Sequence, residues 1–279
     1  MLERDEYVEQ AYLFRALAER GRRNVATQDL LTQIREEILS ITNLPKAIDY
    51  MASELRLHGQ MSLAMQRLNH YFTPFQAYVM AQAEKEGGRL DFTVALEILE
   101  RDAAYRGNQP LAQGMFLFQF ESMCRNRLGY DQGLAAVMND PIFNDDWREW
   151  IDTVRRQIGL VDFAELIYVR SQHFVRERNR RGLDLEGPIK PVLFGEKEGK
   201  IALAHRRKDP LYLFAALERH LGYPTVPRLR PVDESKELIP QLKRRVERVE
   251  MRMKLLEEEH RGGLDITKFY GQTPPPAAE

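Results

Sequence analysis

The chain has 279 residues, 43% hydrophobic and 30% charged, with a formal net charge of −1. This is a globular composition, long enough to bury a sizeable core as one large domain or as a main domain with an appendage. The single cysteine, Cys124, excludes an intramolecular disulfide and a cysteine-based zinc site within one chain, and it predicts a reducing, cytoplasmic setting.

From the N-terminus, MLERDEYVEQ is charged and helical, so no secretory leader is expected. Tyr7, Val8, Ala11, Tyr12, Phe14 and Leu17 form a first apolar stripe. Leu30, Leu31, Ile34, Ile38 and Ile41 form a second at helical spacing. Leu44-Pro45 breaks the chain and starts a helix that Gly59 closes. Thr73-Pro74 starts another, ended by Gly87-Gly88, and Asp91 caps the next. After the turn at Gly107–Pro110 a longer helix runs through Phe116, Phe120 and Met123 to Gly129, followed by a short one near 133–138. Asn144 or Asp145 caps a helix bearing Trp147, Trp150, Ile151 and Val154. A final helix of this body spans about 161 to 180. No stretch approaches the roughly 18 consecutive apolar residues of a membrane span, so no membrane partner is expected.

Beyond Gly182 the pattern changes. Residues 189–194 are β-prone, 195–199 hold two glycines, and 200–205 return, which predicts a β-hairpin with Pro191 on an edge strand. Asp209-Pro210 then starts a helix with Leu211, Phe214, Ala215 and Leu217 inward and Gly222 at its end. Pro224, Pro227 and Pro231 stiffen a connector. Ile239, Leu242, Val246, Val249, Met253 and Leu256 then alternate in steps of three and four, the seam of a coiled coil. The Pro-rich end should be disordered. The expected fold is mainly α: an antiparallel helical array over 1–182, a β-hairpin-plus-helix module with its connector over 183–230, a coiled-coil-like heptad helix over 231–262 and a disordered tail over 263–279.

Catalytic signatures are sparse. The six histidines form no His-x-x-x-His pair, and the one Glu-x-x-His spacing, Glu257 to His260, lies at a charged helix end, so no metal and no cofactor are expected. Cys124 among phenylalanines reads as a small core residue, with Arg125 and Arg127 as the only nearby help toward a thiolate. Glu97 and Glu100, with Asp102 nearby, read as a solvated helix face. The rings at Tyr71, Phe72 and Phe75, and those of Trp147 and Trp150, suit either a core junction or a partner anchor. Phosphate-binding glycine loops are missing from the sequence.

Charge is unevenly spread. From Arg170 to Lys254 about 21 Lys and Arg stand against about 12 Asp and Glu, which marks either an anionic partner or two faces of one fold that attract each other. Arg176, Arg178, Arg180, Arg181, Arg206 and Arg207 are the candidate anion-binding residues, since guanidinium groups pair with phosphate bidentately. The seam needs a partner helix, from a second copy, another protein or the chain's own body, and the expected role is a non-enzymatic interaction or scaffold protein that binds a protein partner or a second copy through the six seam residues. Nucleic-acid binding by the basic C-terminal third, and an enzyme whose site is assembled from distant helices, are the alternatives.

Overall fold

The computed structural model describes residues 2–22, 25–88, 90–181 and 190–228, together with 246, 249, 250 and 253. The chain divides into two units, Met1–Leu229 and Arg230–Glu279. Among the described residues of the first unit there are thirteen helices and no sheet. They are α1 (Arg4–Gly21), α2 (Thr27–Glu37), α3 (Leu44–His58), α4 (Ser62–Arg67), α5 (Pro74–Glu84), α6 (Phe92–Arg106) and α7 (Ala112–Arg125), then α8 (Tyr130–Met138), α9 (Asp145–Gln157), α10 (Phe163–Tyr168), α11 (Gln172–Arg180), α12 (Glu196–Ala204) and α13 (Pro210–Leu221).

Local chemistry accounts for most of the helix ends. Pro45 sits in the first turn of α3, and Gly59 ends that helix at φ +71°. Thr73 and Gln76 make a reciprocal capping box at α5. The side chains of Asp91, Asn144, Ser171 and Asp209 accept backbone N–H bonds at the starts of α6, α9, α11 and α13. Where stripes were extrapolated, the ends move. Helix α2 stops before Ile38, leaving Ile41 80% exposed, and Leu211 at the start of α13 is exposed while Leu213 is buried. The short α4 starts after Met61 with no side-chain cap, so no local signal marks it in the sequence.

The expected β-hairpin does not form. Its second half is α12, because Glu196 and Glu198 lie in a first turn where carboxylates complement the helix dipole, and Lys200, Ala202, Leu203 and Ala204 are good helix formers. Gly199 is not a turn residue. A Cβ there would sit 2.3 Å from the Ser171 Oγ and 2.7 Å from the Cβ atoms of Ser171 and His173, so glycine lets α12 approach α11 closely. The first half remains extended but enters no sheet. The N–H groups of Leu193 and Phe194 donate to the Arg170 carbonyl at 2.9 and 3.1 Å, and Gln172 N–H donates to the Phe194 carbonyl at 2.9 Å. This isolated bridge between Ser171 and Phe194 splits the helix expected over 161–180 into α10 and α11.

Phe116 anchors an aromatic core. It stacks on Phe120 at 5.7 Å and meets Trp150 edge-on at 4.8 Å, while Phe194 packs edge-on against both Trp147 and Trp150. Both tryptophans are therefore core residues, as are Tyr71, Phe72 and Phe75. The extended segment after α13 is tied to α7. Tyr223 donates its hydroxyl to the buried Glu121 carboxylate at 2.8 Å, and the Asn126 side chain donates to the Pro227 carbonyl at 3.0 Å.

A buried polar chain crosses this core. Arg106 on α6 donates to Asp102 at 2.7 Å, one turn earlier, and to Asp140 at 3.0 Å, in the turn between α8 and α9. All three side chains are at most 1% exposed. Gln119 on α7 donates to Asp140 at 3.1 Å. Gln76 on α5 donates to Asp102 and to Gln10 of α1, both at 3.2 Å. Asp102 is thus not part of a solvated carboxylate face. Burial raises its carboxyl above the ordinary range, and Asp140 adds to the rise while Arg106 opposes it.

Two outcomes are expected. The native state holds the Asp102 proton more tightly than the unfolded chain does, so this group's contribution to stability falls as pH rises from about 4 through its native value. In thermal melts, Asp102→Asn should therefore gain on the wild type as pH rises from 4 to 8, and a constant difference would show that Asp102 does not titrate there. Gly199→Ala should destabilise by roughly 1–3 kcal/mol in urea unfolding, because overpacking against Ser171 and His173 outweighs a helix-propensity gain of about 1 kcal/mol. A stabilised variant would refute the close approach.

Candidate functional site

The break at Ser171 brings together residues that the sequence keeps apart. The Ser171 Oγ accepts the Phe174 N–H at 3.2 Å and starts α11 immediately beside the end of α10. The Tyr168 ring consequently meets the Phe174 ring edge-on at 5.2 Å and the His173 ring at 6.1 Å. The Arg206 guanidinium, from the turn after α12, lies over Tyr168 at 4.0 Å from the ring centre and forms an ion pair with Glu165. Arg178 lies over Phe174 at 5.7 Å. Arg206, Tyr168, Phe174 and Arg178 therefore form one continuous cation–aromatic ladder, which joins the two arginine groups singled out in the sequence.

The other candidate arginines flank this ladder. Arg180 and Arg181 share one carboxylate, Glu177, at 3.4 and 3.5 Å. Arg176 shares Glu196 with His173 and Lys200, at 3.3, 3.0 and 3.3 Å. Burial pushes the Glu196 carboxyl up, but its bonds to His173 and Lys200 and the charge of Arg176 outweigh this and hold it below the usual range. Arg207 has its backbone N–H on Asp162 at 2.6 Å and adopts φ +58°. Among the described residues, Arg178, Arg207 and Lys208 have no carboxylate within ion-pair distance. Arg170, which belongs to the same basic run in sequence, is instead 4% exposed, with Nε and Nη2 unpaired. The charges of Glu149 and Asp146 on α9 act on it from that side.

Of the seam residues, Val246, Val249 and Met253 are helical and 53%, 56% and 56% exposed. Ile239, Leu242 and Leu256 lie outside the described residues, as do Glu257, His260 and the tail expected to be disordered. Among the described residues no three His, Cys, Asp or Glu side chains gather as a metal site, and no helix is long and apolar enough to cross a membrane.

A groove of about 300 Å³ opens between α4, α5 and α8, with Met65, Phe72 and Tyr78 beside the amides of Gln66, Gln82 and Gln132. No carboxylate, amine, guanidinium or imidazole lines it, and burial pushes the Tyr78 hydroxyl up to about 12, so the groove holds no group for acid–base work near neutral pH. Comparison of the chain with protein families, curated proteins and solved structures yields no match.

Burial likewise pushes the Cys124 thiol up to about 12; Glu121 adds to the rise, and the Tyr130 hydroxyl and Arg125 oppose it. The thiol should react slowly with iodoacetamide at pH 8 in the folded protein and at the rate of a free thiol in denaturant. Fast labelling of the folded protein would reinstate a reactive thiolate.

Proposed function

We propose that this chain is a non-enzymatic association protein whose heptad helix, residues 239–256, pairs in parallel with the same helix of a second copy. The observation that carries this reading is the helical, more than half exposed state of Val246, Val249 and Met253, three consecutive positions of the seam. Ile239, Val246 and Met253 occupy one seam row, and Leu242, Val249 and Leu256 the other. Two β-branched residues of three in the first row, Ile239 and Val246, and two leucines of three in the second, Leu242 and Leu256, favour a two-stranded parallel coil.

The flanking charges support a second copy as the partner. In a parallel, in-register pair Arg245 would face Glu250 of the other helix, and Arg252 would face Glu257. An antiparallel pair would instead set Arg245 and Arg252 of one helix against the same arginines of the other. A reducing, cytoplasmic setting suits the single cysteine.

Light scattering on the intact chain at tens of micromolar should give about twice the 32.6 kDa monomer mass. Leu242→Lys combined with Val249→Lys should give the monomer with unchanged circular dichroism in the rest of the chain. Arg245→Glu should weaken the dimer, and adding Glu250→Arg should restore it. A wild-type monomer under these conditions would end the proposal, and failure of the charge swap to restore the dimer would end the parallel register.

A further inference from the structure

We infer that the face built by α10, α11, α12 and the turn to α13 binds single-stranded nucleic acid, with guanidinium groups on its phosphates and Tyr212 as a stacking platform for a base. The inference does not rest on dimerisation, since every residue it uses lies in the first unit.

Charge supply is the first argument. Carboxylates on this face are oversubscribed: Glu177 serves both Arg180 and Arg181, and Glu196 serves Arg176, Lys200 and His173. Over residues 162–181 and 190–228 Lys and Arg outnumber Asp and Glu by six, with about 13 against about 7. The Arg176, Arg180 and Arg181 side chains are 60–80% exposed. Exposed pairs of this kind contribute little to stability, so a phosphate displaces them at little cost.

Shape is the second. A single small anion is held by donors that converge in a pocket. Here the cations are spread along a ridge instead, from Arg181 through Arg178 and the ladder to Arg206, Arg207 and Lys208. Arg176 and Arg181 alone are separated by about 7.5 Å along α11, at 1.5 Å per residue. That arrangement suits an extended chain of phosphates. Because Tyr168 and Phe174 hold Arg206 and Arg178 in place, less side-chain freedom is lost on binding.

The third argument separates nucleic acid from other polyanions. Tyr212 follows the Arg206–Arg207–Lys208 triplet at the start of α13, and it is 66% exposed. A ring beside a basic track gives an unpaired base a stacking partner, which a duplex or a lipid headgroup does not use.

Fluorescence anisotropy with a labelled mixed-sequence single strand, its duplex, and vesicles rich in phosphatidylserine tests the inference on the intact chain. The single strand should bind at 50 mM salt and weaken steeply by 200 mM. Combining Arg180→Glu, Arg181→Glu and Arg207→Glu should lower affinity at least tenfold and flatten the log–log salt slope by about 2, at roughly 0.7 per lost phosphate contact. Tyr212→Ala should lower it about five- to tenfold with the salt slope unchanged. Circular dichroism confirms folding of each variant, and a charge-matched variant away from this face, Lys46→Glu, Arg56→Glu and Lys85→Glu, should bind as the wild type does. No binding at 50 mM salt, indifference to either variant of the face, preference for the duplex, or binding to vesicles but not to the oligonucleotide each overturns the inference.

Discussion

The structure of the first unit depends on one buried guanidinium. Arg106 has no access to water, and the carboxylates that satisfy it come from its own helix and from the turn that joins α8 to α9. Isolating any of the three charges in the core would cost several kcal/mol, so the packed state is favourable only when all of them meet. Gln119, Gln76 and Gln10 extend that requirement to α7, α5 and α1. Leucine and phenylalanine contacts tolerate sliding, whereas this chain of directional bonds does not. Burial, with the second carboxylate of Asp140 adding to it, raises the Asp102 carboxyl against the pull of Arg106. We take its role to be selection of a single helix arrangement rather than net stabilisation.

What could be read from the sequence follows from what is local. Pro45 with Gly59, Thr73 with Pro74, Asp91, and Asn144 mark helix ends through bonds that span three or four residues, and these were legible. β-Branched Ile189, Val192 and Ile201 suggest the strands of a hairpin, whereas the acidic first turn at Glu196 and Glu198 favours the helix that forms. The deciding fact, that Gly199 is needed for the approach of α12 to α11, is tertiary. Asp102 reads as a surface acid because its partner Arg106, one turn on, looks like an exposed helix pair, and the Asp140 carboxylate that shares Arg106 in the core lies far along the chain. The alanines at 103 and 104, both between a helix-spaced Asp102 and Arg106, were the faint available signal.

The candidate site divides in the same way. Composition found the arginines, and helical periodicity found the seam. Neither showed that Arg206 and Arg178 belong together, because the connection runs through Tyr168 and Phe174 across a helix break that no stripe announces. Arg170 shows the opposite error: it belongs to the basic run by position yet points its charge into the fold. The two readings rest on separate units and different forces, apolar burial for the seam and ion exchange for the arginine face. If both operate, pairing of two copies would present two basic faces on one particle, and attachment to a long strand would gain from effective concentration without any new contact.

The bridge between Ser171 and Phe194 has a topological consequence. It fastens the two ends of residues 172–193 to each other, so the chain leaves the core and returns to it at nearly the same point. The helices on either side are held in place by that clasp rather than by the path between its ends. Because α10 ends just before that point and α12 begins just after it, a disturbance of the clasp would reach both helices at once.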